Sequence, residues 1–112
     1  MAEDYNQGWG VDLPLYTFIQ SNLTGVQVVS DDQVHSGFLF SSGVRRFDSV
    51  ILGYEEYVTQ EEYLQFKHFV ASGGNPVVII GNAFWGQVNF STATRMESLV
   101  VGHGWRFDGK LA

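Results

Sequence analysis

At 112 residues the chain has the size of one domain with one hydrophobic core, and its 45% hydrophobic and 15% aromatic content argues for a packed globule and against disorder. A formal net charge of −6, with no cluster of Lys or Arg to offset it, repels phosphate backbones and anionic membrane surfaces, so nucleic acid is not an expected partner. The absence of cysteine excludes disulfides, thiolate zinc sites and a thiol nucleophile, and no apolar run approaches the roughly 20 residues of a membrane helix.

Residues 1–10 read as a polar, glycine-bearing entry that does not resemble a signal peptide, and the expectation is a soluble, cytoplasmic protein. Asp12 is placed to cap a helix that tolerates Pro14 in its first turn; Leu15, Ile19 and Leu23 recur at helical spacing with Phe18 beside them, and Gly25 closes it. Residues 26–29 make a short β-branched strand that stops at Ser30, Asp31 and Asp32. Residues 33–47 read as a short helix or turn followed by loop. Residues 49–53 (Ser-Val-Ile-Leu-Gly) are a continuous apolar run, the mark of a strand buried on both faces. Thr59 and Glu62 form a capping box for a helix ending near Ser72, with Tyr63, Phe66 and Val70 as its buried stripe and Glu61, Gln65 and His68 pointing away. Gly73 and Gly74 end this helix, and Asn75-Pro76 turns the chain into a second apolar strand, residues 77–80, that stops at Gly81-Asn82. Residues 87–90 and 98–102 read as short strands joined by a polar loop around residues 92–95, and Trp105 and Phe107 as a cover over one end of the core.

Helices alternating with apolar strands predict an α/β fold: an open, mainly parallel sheet with flanking helices. Residues 26–30, 49–53 and 77–81 are its expected parallel neighbours, and the helix over residues 59–72 crosses between the last two. Ligands of such sheets bind beyond the carboxyl ends of the strands. Those ends carry Asp31 and Asp32, then Tyr54, Glu55, Glu56 and Tyr57, then Asn82.

Three of these segments resemble a known family. Val28-Val29-Ser30-Asp31-Asp32-Gln33-Val34-His35 resembles the strand and acidic turn of the large-subunit domain of N,N-dimethylformamidase. Gly53-Tyr54-Glu55-Glu56-Tyr57-Val58-Thr59 resembles that family's strand end, which usually reads Gly-Ser-His-Pro-Glu-Tyr before a helix cap. Gly73-Gly74 followed by Gly81-Asn82-Ala83-Phe84-Trp85 resembles its next strand and the turn after it, and the order and spacing hold from about Asp12 to Val88. The resemblance implies a flavodoxin-like fold similar to the class I glutamine amidotransferases. It also implies an amide hydrolase with a mononuclear iron held by tyrosine and glutamate oxygens. Tyr54 and Glu55 stand where the family has His-Pro, and Ala83 where it has glycine.

Tyr57 and Glu56 are the metal candidates under that resemblance: a phenolate is a hard anionic donor suited to ferric iron, and carboxylates complete such a shell. The alternative packs the Tyr57 ring against the following helix and sets Glu56 at that helix's positive end. Asp31, His35 and Glu56 are the acid–base candidates; Asp31 and Asp32 could also bind a cation, while the commoner use of such a pair is a solvated helix cap, and His35 equally suits a surface or hinge position. Asn82, Phe84 and Trp85 are the candidate substrate contacts, with a loop anchor and a hydrophobic lid as the alternatives. His68 reads as solvated and His103 as part of a turn. There is no Gly-x-Ser-x-Gly elbow, phosphate-binding lysine loop or His-x-x-x-His pair.

The expected function is an amide or C–N hydrolase-like domain, inactive or incomplete as this chain, that takes a small-molecule ligand, with iron as the cofactor implied by the resemblance. The alternative is a non-catalytic small-molecule-binding or protein-interaction module of the same fold. The chain opens with a helix where the first strand of a flavodoxin-like sheet would stand, so the domain is expected to be partial. That leaves residues 26–30 and 49–53 flanking a slot, and predicts a homodimer or higher homo-oligomer that covers a sheet edge.

Overall fold

The structure, a computed structural model, describes residues 12–53, 55–79, 83–91, 93–94, 96–101, 106–107 and 110–111. The polar entry over residues 1–10, Tyr54, the end of the second apolar strand with Asn82, and His103 and Trp105 lie outside the described residues.

Helix α1 spans Asp12–Asn22. Its last turn closes with Asn22 Nδ2 donating to the Phe18 carbonyl at 2.8 Å, and Gly25, at φ +71°, turns the chain away in the left-handed region that glycine tolerates. Residues 26–30 do not form the expected strand: among the described residues they have no ladder partner. Val26 and Val28 remain 40% and 59% exposed, and only Val29 packs on the core. Ser30 is instead the N-cap of α2 (Asp31–His35), in a capping box completed by Gln33. A residue committed to a cap ends the extended run before it can pair. Gly37, at φ +96°, then closes α2 in a Schellman motif, its amide donating to Val34 and that of Phe38 to Gln33.

Where loop was expected, β1 (Phe40–Ser41) and β2 (Val44–Arg45) form an antiparallel hairpin. Ser42 at φ +50° and Gly43 at φ +80° supply the two positive-φ positions of a type I′ turn. Strand β3 (Ser49–Leu52) follows, then the short β4 (Tyr57–Val58) and helix α3 (Gln60–Ala71). The Thr59–Glu62 capping box is present as read, with Thr59 as N-cap. Ser72 is the C-cap, and the Gly73 and Gly74 amides reach back to Val70 and Phe69 in a second Schellman motif. The buried stripe of α3 is Glu62, Phe66 and Phe69, not Tyr63, Phe66 and Val70: Tyr63 is half-buried and Val70 is 47% exposed. The i, i+4, i+7 line through Glu62 faces the core, and Val70 lies one step around the helix.

Strand β5 (Asn75–Val78) pairs parallel with β3, joined through α3, as the two apolar runs predicted. It begins earlier than expected, because Asn75 and Pro76 belong to the strand and not to a turn. The Asn75 amide donates to Asp48 at 2.9 Å and the Ile79 amide to Leu52 at 3.1 Å. The backbone groups of the odd-numbered residues thus face β3, and Pro76 turns its nitrogen, which has no proton to give, to the outer edge, where among the described residues no strand pairs and no ladder bond is lost. Strand β6 (Gly86–Ser91) pairs parallel with β4 and antiparallel with β7 (Met96–Val101), and β8 (Arg106–Phe107) pairs antiparallel with β9 (Lys110–Leu111).

The α/β class therefore stands, while the described strands form small sheets of mixed sense in place of one open parallel sheet. The core joins Val34 of α2, Leu39, Leu52 of β3, and Phe66 and Phe69 of α3, with Val29, Phe40, Phe47, Val50 and Phe84 packed around them. Val58 and Val88 are buried where β4 meets β6. No helix among the described residues is long and apolar enough to cross a membrane.

Candidate functional site

The parallel pair β3–β5 directs its carboxyl end at the stretch that leads into β4, and two other segments meet there. The first turn of α2 contributes Asp31 and the first turn of α3 contributes Glu62, while Glu55 comes from the stretch after β3. One carboxylate oxygen from each of Asp31, Glu55 and Glu62 lies within 4.8 Å of the other two. Asp31 and Glu55 are half-buried and Glu62 is only 2% exposed.

Each member is fixed by its backbone setting. Asp31 follows the Ser30 cap. Glu62 Oε1 accepts the Thr59 amide at 3.1 Å, and the Glu62 amide donates to Thr59 Oγ1 at 3.0 Å. The Glu55 carbonyl accepts the Phe84 amide at 2.7 Å, while the Glu56 carbonyl accepts the amides of Trp85 and Gly86, both at 2.8 Å. The turn bearing Phe84 and Trp85 is thereby strapped across the strand end. Phe84 holds φ +60°, uncommon for a bulky residue, and stacks on Phe66 with centroids 5.4 Å apart.

Three ionised carboxylates this close repel one another by roughly 3 kcal/mol per pair at an effective dielectric constant near 20. A cation or shared protons relieve that repulsion. Oxygen-only donors suit a hard cation such as Mg²⁺, Ca²⁺, Mn²⁺ or ferric iron, so the donor set fits the kind of metal that the resemblance implies.

Of the residues singled out in the sequence, Asp31 is a member of this trio. Glu56, 7% exposed, is not among the three grouped carboxylates, and Tyr57 lies half-buried at the start of β4. His35, in the last turn of α2, places Nδ1 2.8 Å from Thr59 Oγ1 and 3.7 Å from Glu61 Oε2, with its ring edge against Phe90. His68 is exposed, as expected, with its ring stacked on Phe40. Phe84 is half-buried, Trp85 is 41% exposed and Asn82 lies outside the described residues. Glu55 and Glu62 were not candidate ligands in the sequence. The signal for Glu62 was its place as third residue of a capping box, which turns a carboxylate back towards the start of its helix.

No curated protein and no solved structure gives a significant match to the chain. A family described as N,N-dimethylformamidase beta subunit-like, C-terminal, matches residues 1–106. With nearly the whole sequence covered by that match, the chain belongs to the N,N-dimethylformamidase beta subunit-like C-terminal domain family.

Proposed function

We propose that this domain serves the hydrolysis of an amide or related C–N bond, at a carboxylate site beyond the carboxyl end of β3. The observation that carries the reading is the convergence of Asp31, Glu55 and Glu62 from three separate segments, in a chain of the dimethylformamidase-like family. The support for a flavodoxin-like, amidotransferase-like parent architecture is the parallel β3–β5 pair joined through α3.

In this reading Asp31 and Glu55 hold the cation and Glu62, fixed by its cap, completes the set. Glu56 and Tyr57, next along the chain, are further oxygen donors, with iron as the metal the family resemblance favours. A cation bound there supplies Lewis-acid polarisation of an amide carbonyl. His35 is the proton carrier, and Phe84 and Trp85 are the substrate wall.

Metal analysis of the purified chain, with Mn²⁺ uptake followed by electron paramagnetic resonance, tests the proposal. One equivalent of bound metal is expected, and Asp31→Asn or Glu55→Gln weakens Mn²⁺ at least about tenfold, the loss of one charged ligand being worth more than 1.4 kcal/mol. Uptake unchanged in both variants removes them from the site. A metal-free chain that takes up no Mn²⁺ favours the second reading, a non-catalytic small-molecule-binding or interaction module. What speaks for that reading is an apolar groove of about 420 Å³ between α3 and the β3–β5 pair, lined by Val50, Leu52, Phe66, Val78 and Phe84 among others.

The same reading includes self-association. Ile51, Val77 and Ile79, on the face of the β3–β5 pair turned away from α3, are between 37% and 50% exposed, which favours covering that face with a second copy. Light scattering at micromolar concentration is expected to give a dimer or larger species. A strict monomer rejects self-association.

A further inference from the structure

We propose that His35 is a positioning residue for the carboxylate site: by bonding Thr59 it fixes the cap of α3, and with it the place of the Glu62 carboxylate beside Asp31 and Glu55. The inference rests on the carboxylate reading given above and gives His35 a further role, exerted through Glu62.

The connections close into a ring. Asp31 and His35 stand at the two ends of the single-turn helix α2. His35 Nδ1 and Thr59 Oγ1 are 2.8 Å apart. Thr59 Oγ1 takes the Glu62 amide and the Glu62 carboxylate takes the Thr59 amide. Glu62 then meets Asp31 in the carboxylate group, which returns to α2. Thr59 is 2% exposed and Glu62 2%, so water does not compete for the two bonds between them.

The roles of the atoms follow from their inventory. Thr59 Oγ1 accepts the Glu62 amide and keeps a second lone pair and its own proton for His35 Nδ1, so the bond forms with either tautomer of the ring. The exposed Glu61, 3.7 Å from Nδ1, adds a weak, solvent-screened attraction when the ring is charged. The Phe90 ring, 5.5 Å from the imidazole centroid, keeps the ring upright towards Thr59. Because a five-residue helix has little rigidity of its own, this bond ties the angle of α2, and hence Asp31, to the cap that aims Glu62.

The test compares His35→Phe, which keeps the ring against Phe90 and removes the nitrogen, with His35→Asn, whose amide puts a hydrogen-bonding atom where Nδ1 stands. Far-UV circular dichroism checks that each variant of the full chain is folded. The ¹³Cδ resonance of Glu62, which reports the surroundings of that carboxylate without added cation, is expected to move in His35→Phe and to return in His35→Asn. Mn²⁺ affinity is expected to fall about tenfold in His35→Phe, equivalent to about 1.4 kcal/mol, and to recover in His35→Asn. A Glu62 resonance that stays put in His35→Phe overturns the inference whether or not Mn²⁺ binds. A parent chain that takes up no Mn²⁺ overturns the cation reading alone, and the resonance still decides the role of His35.

Discussion

Phe69→Ala is expected to lower the unfolding free energy by about 3–5 kcal/mol, the range for removing a buried aromatic ring. Phe69 is 1% exposed and sits in the cluster that joins α2, β3 and α3. Its ring also carries the Arg45 guanidinium, 5.8 Å from the centroid, an attraction of about 0.5–1 kcal/mol at such a site. The void left by the ring has little to collapse into it, because Gly74 has no side chain and Leu52 and Phe66 are held by their own elements. Domains of this size have about 5–15 kcal/mol of stability in all, so the variant is expected to unfold at much lower urea concentration with the slope of the transition unchanged. A midpoint close to that of the parent would place the weight of the core elsewhere.

Gly74→Ala is expected to be nearly as damaging, for the opposite reason. A Cβ at position 74 would lie 2.3 Å from Phe69 Cε1 and 2.5 Å from Cδ1. The ring is buried and cannot swing aside, and the Gly74 backbone is pinned by its amide bond to the Phe69 carbonyl, at 2.9 Å. Overpacking of this kind costs about 1–3 kcal/mol and occasionally more. In a Phe69→Ala background the clash disappears, and the same substitution should become neutral, or stabilising by about 0.4–1 kcal/mol, because alanine restricts the unfolded chain. Thermal or urea unfolding of the two single variants and the double variant checks this sign reversal. Additive losses would show that the strain at position 74 does not run through the ring.

The parts of the fold written in local chemistry were legible in the sequence. Thr59 and Glu62 three residues apart announced the start of α3, and the two apolar runs on either side announced a parallel pair, both of which the structure contains. Residues 26–30 misled because β-branched composition describes only what a strand prefers, whereas pairing needs a neighbour with open bonds and Ser30 had a competing use as a cap. The β1–β2 hairpin was hidden because Ser42 at positive φ is an uncommon choice for a type I′ turn. In α3, Phe66 was placed correctly, but Val70 and Phe69 compete for the same face, and only the core on the other side decides between them. The strand-end rule led to the stretch where the structure brings Asp31 beside Glu55 and Glu62. It could not choose between neighbours such as Glu55 and Glu56, whose directions depend on the bends around residue 56 and the strap from Phe84.

Pro76 on the outer edge of β5 bears on how the chain behaves in a crowded solution. A foreign strand laid along that edge finds a carbonyl at position 76 with no matching N–H, and the proline ring stands where the newcomer's own carbonyl would need to approach. Growth of a fibril by stacking one copy on another is blocked on that side, although Val77, Val78 and Ile79 together make an apolar run of the composition that favours such stacking. Proline at this position therefore acts as a gatekeeper next to a sticky segment. Replacing it with valine would remove the block and extend that run by one residue.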